Sequence, residues 1–101
     1  MKADHDSSRL GDIAEHYAIT YLWDQGYNVF KNSGCTGPVD LIAIDKKGKP
    51  LYIDVKTIRK EKSHWSGRAR TKEQKKLGVQ LLYFNPKDRS LQMVKHKECI
   101  N

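Results

Sequence analysis

Residues 39–58 read Val39-Asp40-Leu41-Ile42-Ala43-Ile44-Asp45-Lys46-Lys47-Gly48-Lys49-Pro50-Leu51-Tyr52-Ile53-Asp54-Val55-Lys56-Thr57-Ile58, and this stretch decides the fold. Two strand-like runs, 39–45 and 51–58, flank Lys46-Lys47-Gly48. A three-residue hairpin loop closes well with glycine in the left-handed region, and Gly48 stands where that glycine belongs. The second run alternates. Leu51, Ile53 and Val55 share one face, and Tyr52, Asp54 and Lys56 the other. With this loop, Asp45 pairs with Lys49, and counting back sets Asp40 opposite Asp54. Two facing carboxylates repel and weaken a sheet unless positive charge lies between them. Lys56 is one source of that charge and a divalent cation another. Hard cations such as Mg²⁺ take oxygen ligands, often carboxylates completed by phosphate and water.

Upstream, Leu10, Ile13, Ala14, Tyr17, Ala18, Tyr21 and Leu22 recur every three or four residues, as on one helix face. The spacing predicts a helix over 8–25, capped by Ser7 or Ser8 and ended by Gly26. Residues 27–31 form a first strand, and 32–38 a turn-rich loop. Downstream, 59–70 has no apolar period and reads as a mobile basic loop. Thr71 and Gln74 have the spacing of a capping box, so a short helix starts there and ends at Gly78. Residues 79–85 and 90–95 are strands joined by a turn at 86–89. The order is α-β-β-β-α-β-β in a single domain over 1–101.

The net charge of +7 is concentrated rather than spread. Lys56, Arg59, Lys60, Lys62, Arg68, Arg70, Lys72, Lys75 and Lys76 stand against only Glu61 and Glu73, and the rest of the chain is balanced. A neutral body with one basic segment suits a polyanion; a solvated surface loop has the same composition. Apolar residues make 38% and charged residues 31%, which suits a soluble domain with a modest core. No apolar run approaches the roughly 20 residues that span a bilayer, so no membrane partner is expected. The first six residues do not resemble a signal peptide, so a cytoplasmic location is expected. Cys35 and Cys99 belong to no C-x-x-C pair and are expected to be reduced.

Gly37-Pro38-Val39-Asp40-Leu41-Ile42-Ala43-Ile44, the hairpin, and Ile53-Asp54-Val55-Lys56-Thr57 together resemble the core motif of the PD-(D/E)XK nuclease superfamily. Gly11-Asp12-Ile13-Ala14-Glu15 on the first helix resembles the opening of its Holliday-junction-resolvase-like members and small phage endonucleases. The resemblance spans about 8–84. It implies a restriction-endonuclease-like α/β fold, an α-β-β-β-α-β core whose mixed central sheet is flanked by helices. It also implies a metal-dependent endonuclease acting on duplex or branched DNA with Mg²⁺, for which Mn²⁺ can substitute. By the resemblance, Asp40 and Asp54 hold the metal, with the Val55 carbonyl as a further ligand. Lys56 orients the attacking water or steadies charge on the phosphate. Glu15 adds a carboxylate, directly or through water, and Gln74 and Ser33 are auxiliary, Ser33 on the nucleic-acid side. The DNA contacts fall to Arg59, Lys60, Lys62, Arg68, Arg70 and Lys72.

Each of these residues also has a plainer reading. Asp54-x-Lys56 alone resembles a surface salt bridge, Glu15 sits at the edge of an apolar stripe, and a capping box explains Gln74 without catalysis. His96-x-x-Cys99 lacks the second pair that a zinc site needs. Two further functions compete: a sequence-specific homing or restriction endonuclease, and a nucleic-acid-binding module without catalysis. One carboxylate set per chain implies a homodimer, or a higher even oligomer, for cutting two strands. Residues 81–84, with Met93 and Val94, are a candidate surface for that pairing; core packing is the competing reading.

Overall fold

The computed structural model describes residues 6–34, 36–58 and 70–94. Helix α1 spans Ser7–Asp24. Strands β1 (Asn28–Lys31), β2 (Leu41–Ile44) and β3 (Pro50–Thr57) follow, then helix α2 (Lys72–Leu77) and strands β4 (Gln80–Phe84) and β5 (Leu91–Met93). The element order matches the expectation. The cap of α1 does not: Asp6, rather than Ser7 or Ser8, accepts a 2.8 Å hydrogen bond from the Arg9 amide. A carboxylate placed there also meets the positive end of the helix dipole.

The five strands form one sheet in the order β1-β2-β3-β4-β5. All neighbours are antiparallel except β3 and β4, which run parallel with α2 between them in sequence. The hairpin closes as expected: the Gly48 amide donates to the Asp45 carbonyl, the Asp45 amide donates to the Lys49 carbonyl, and Gly48 has φ +83°. Its ladder pairs Leu41 with Ile53, which fixes Asp40 opposite Asp54.

Alternation sends Ile53, Leu82, Leu41 and Ala43 to one face, where Ala18 and Leu22 of α1 cover them. Leu81, Leu82, Tyr83 and Phe84 are all buried, none more than 4% exposed. Of the two readings of this run, core packing therefore holds, and it offers no surface for joining two copies. A parallel strand flanked on both sides must bury both its faces, which is why this run is apolar throughout.

Arg89, in the β4–β5 turn, has φ +65°, while the other described residues at positive φ are glycines. A side chain in that region costs about 1–2 kcal/mol. No helix among the described residues is long and apolar enough to cross a membrane.

Candidate active site

β2 is shorter than expected because the chain leaves the ladder at Asp40, and that departure builds the site. The Asp40 amide donates to the Ile53 carbonyl at 2.8 Å. Its side-chain Oδ2 then accepts from the Val55 amide at 2.8 Å. Just before it, the Val39 carbonyl accepts from Asn32 Nδ2 at 2.8 Å, which ties the turn to the end of β1. The carboxyl of Asp40 is thus pinned by backbone and faces Asp54 across the hairpin.

Asp54 is 6% exposed. Its Oδ2 accepts from Gln74 Nε2 at 2.8 Å and lies 3.2 Å from Lys56 Nζ. The whole Gln74 side chain is occupied: Oε1 accepts from the Thr71 amide, and Nε2 also donates to the Pro38 carbonyl. The capping box expected from the sequence is present, and the same amide fixes Asp54. The plain reading of Gln74 as a capping residue holds, and the side chain also reaches Asp54.

Burial pushes the Asp40 carboxyl up to about 7 from 3.8, and a hydrogen bond shared with Asp54 pushes the same way. The Val55 amide opposes this, while the negative charges of Asp54 and Glu15 reinforce it. A pair that cannot hold two negative charges comfortably by itself suits a cation between them. The donors are hard oxygens, which fits Mg²⁺ or Mn²⁺ rather than a softer metal.

Glu15 lies near this pair but outside it. Lys31 Nζ stands 3.7 Å from Glu15 Oε1 and 3.7 Å from Asp12 Oδ1. Among the described residues, no three His, Cys, Asp or Glu side chains converge closely enough to hold an ion. Glu15 nonetheless acts on the pair, since its negative charge helps to push the Asp40 carboxyl up. A lysine from β1 stands within ion-pair distance of its carboxylate.

Arg70 also departs from expectation. It is buried, and its Nη1 donates to the Val79 carbonyl at 3.0 Å. A guanidinium enclosed this way clamps the start of α2 to the start of β4, so the DNA contact expected of Arg70 is not available in this geometry. Lys72 is exposed on α2, and Ser33 is exposed in the turn after β1. Arg59, Lys60, Lys62 and Arg68 lie outside the described residues, as does the loop expected there to be mobile.

Two neighbours of the site were not foreseen. Lys31 ends β1 beside the acids of α1. Tyr83 is the register partner of Lys56 on β4, and burial and the charge of Asp54 push its hydroxyl above the usual range. Only the parallel pairing of β3 with β4 brings Tyr83 there, and no local pattern signals that pairing. A cleft of about 240 Å³, lined in part by Phe30, Asn32, Val39 and Ile42, opens onto Asp40.

No family model matches the chain. A stretch of 54 residues is 39% identical to a UPF0102 protein of Trichlorobacter lovleyi, covering 50% of this chain and 41% of that protein. The chain thus spans about two fifths of the length of that relative. A bacterial homing endonuclease of solved structure, I-Ssp6803I, aligns with a TM-score of 0.69 at 20% identity, over 90% of this chain and 66% of that one. The likeness shows the fold. It is the restriction-endonuclease-like α/β fold that the motif resemblance implied, with a five-stranded mixed sheet and flanking helices.

Proposed function

We propose that the chain is a metal-dependent DNA endonuclease that hydrolyses phosphodiester bonds in duplex or branched DNA. The observation that carries this reading is the facing of Asp40 and Asp54 on one hairpin, with Lys56 and Gln74 both held on Asp54 Oδ2. A module that only bound nucleic acid would gain nothing from opposing two acids inside its sheet.

Asp40 and Asp54 are the donors that would hold Mg²⁺ or Mn²⁺, with the Val55 carbonyl and a water from Glu15 as further ligands. When bound, the cation supplies a water of lowered pKa and neutralises charge at phosphorus. The chain supplies the rest. Asp40 must release its proton before it can ligate, so activity should rise with pH until that proton is gone. Gln74 keeps Asp54 in one rotamer. Lys56, whose side chain is 36% exposed, extends from Asp54 toward solvent and is placed to hold a phosphate oxygen or the attacking water.

A second reading, a sequence-specific enzyme of the homing kind, is favoured by the fold likeness to I-Ssp6803I. The experiment is one gel with supercoiled plasmid and a synthetic four-way junction, each with Mg²⁺, Mn²⁺ or EDTA. Cutting with either metal and none in EDTA is expected, along with loss of cutting in Asp54→Asn while DNA binding persists. Preference for the junction favours shape recognition, and a discrete site on the plasmid favours sequence reading. Metal-independent or Asp54-independent cutting overturns the proposal.

A further inference from the structure

Arg89 stands at a position where glycine would be cheaper. Its φ of +65° is held by hydrogen bonds around it: its amide donates to the Asn85 carbonyl, the Lys87 amide donates to Asn85 Oδ1, and the Ser90 amide and hydroxyl both donate to Asp88 Oδ1. An outlier kept in place by its surroundings is a reason to look for a role. The guanidinium carbon lies 5.5 Å from the Tyr17 ring centre and 5.8 Å from that of Phe84. The two rings lie against one another, 5.1 Å apart. Arg89 is half-buried, and among the described residues no carboxylate lies within ion-pair distance of it. Its charge is oriented by ring faces but not neutralised by them.

The location is also informative. Phe84 pairs with Thr57 on the last rung between β3 and β4, and its carbonyl accepts from the Ile58 amide at 2.8 Å. Asp54 lies three residues back along β3, about 10 Å away along the strand. Arg89 therefore lies at the same end of the sheet as the carboxylate pair, on the face that α1 covers, whereas Asp54 points from the other face.

We infer that Arg89 is a preorganised contact to a DNA backbone phosphate, fixed by the Tyr17–Phe84 pair at the same end of the sheet as the carboxylate pair. A planar guanidinium already oriented loses little freedom when it takes two phosphate oxygens. The inference rests on the nucleic-acid reading above.

The test is fluorescence anisotropy with a fluorescein-labelled DNA duplex in EDTA over a salt series, using wild type, Arg89→Gly and Arg89→Lys. Glycine suits the backbone at this position, so Arg89→Gly is expected to fold, with a melting temperature near or above wild type. Its affinity should fall by about three- to tenfold, and its log–log salt slope should become shallower by about 1. Arg89→Lys keeps the charge, so it should keep the slope while binding more weakly. Wild-type slope and affinity in Arg89→Gly overturn this inference and leave the endonuclease reading intact. Equal slopes in all three proteins with weaker binding overturn it too, since a purely structural role would act without releasing counterions. Absence of wild-type binding overturns the nucleic-acid reading itself, and this inference with it.

Discussion

Asp40 prefers its proton in the folded chain, which sets a sign for the dependence of stability on pH. Its carboxyl is pushed up to about 7 from 3.8, so folding favours the neutral form. The stability this contributes is full below about pH 4 and is lost as pH rises through 7. The group is only partly buried, so solvent screening reduces the effect to about 1–2 kcal/mol. Without metal, the wild type should melt roughly 5–10 °C lower at pH 8 than at pH 5 on this account. Asp40→Asn keeps an oxygen for the Val55 amide and removes the charge. It should flatten that dependence and melt higher than wild type at pH 8 in calorimetry. Mg²⁺ should raise the wild-type melting temperature at pH 8 and leave Asp40→Asn nearly unchanged. Identical pH profiles for the two proteins would mean that the pair is not strained.

At the scale of elements, Gln74 couples the start of α2 to β3 and to the turn before β2. Gln74→Ala removes the capping box and leaves Asp54 and the Pro38 carbonyl short of a donor, a loss of about 1–3 kcal/mol in urea unfolding. Gln74→Glu is the sharper variant. It preserves the cap, which accepts either residue, but turns a donor into an acid beside Asp54. It should be destabilised in EDTA and recover with Mg²⁺. Wild-type stability of Gln74→Glu in EDTA would show that only the cap matters. The legibility of these elements follows the range of their contacts. The hairpin register was readable because Gly48 and the alternation of β3 are local, and with it came the Asp40–Asp54 pair. The parallel pairing of β3 with β4 is not local, so the approach of Tyr83 was out of reach, and the apolar run 81–84 was legible as core without its partner strands. Arg70 looked like its basic neighbours, and only its packing on Val79 distinguishes it. Glu15 was found by motif, but its partner Lys31 lies across a helix–strand contact that no spacing encodes.

If the chain is the endonuclease proposed, the issue for the whole molecule is how one carboxylate pair cuts two strands. Each chain carries one Asp40/Asp54/Lys56 set, so cutting both strands in one encounter requires two chains. The apolar area for pairing cannot come from residues 81–84, which are inside. Leu82→Ala should therefore cost about 2–5 kcal/mol of folding stability without specifically weakening association. Among the described residues, the large apolar side chains left exposed are Tyr17, Trp23, Phe30 and Leu77, and Phe30 is 55% exposed beside the cleft that leads to Asp40. Aromatics so placed are the kind that interface cores use. If two copies assemble on DNA, light scattering with a duplex should give twice the chain mass. The ratio of linear to nicked plasmid should then climb with protein concentration, and Phe30→Ser should lower that ratio while nicking continues. A monomer mass with and without DNA, together with linear product at the lowest protein concentrations, would instead mean that one chain nicks each strand in turn.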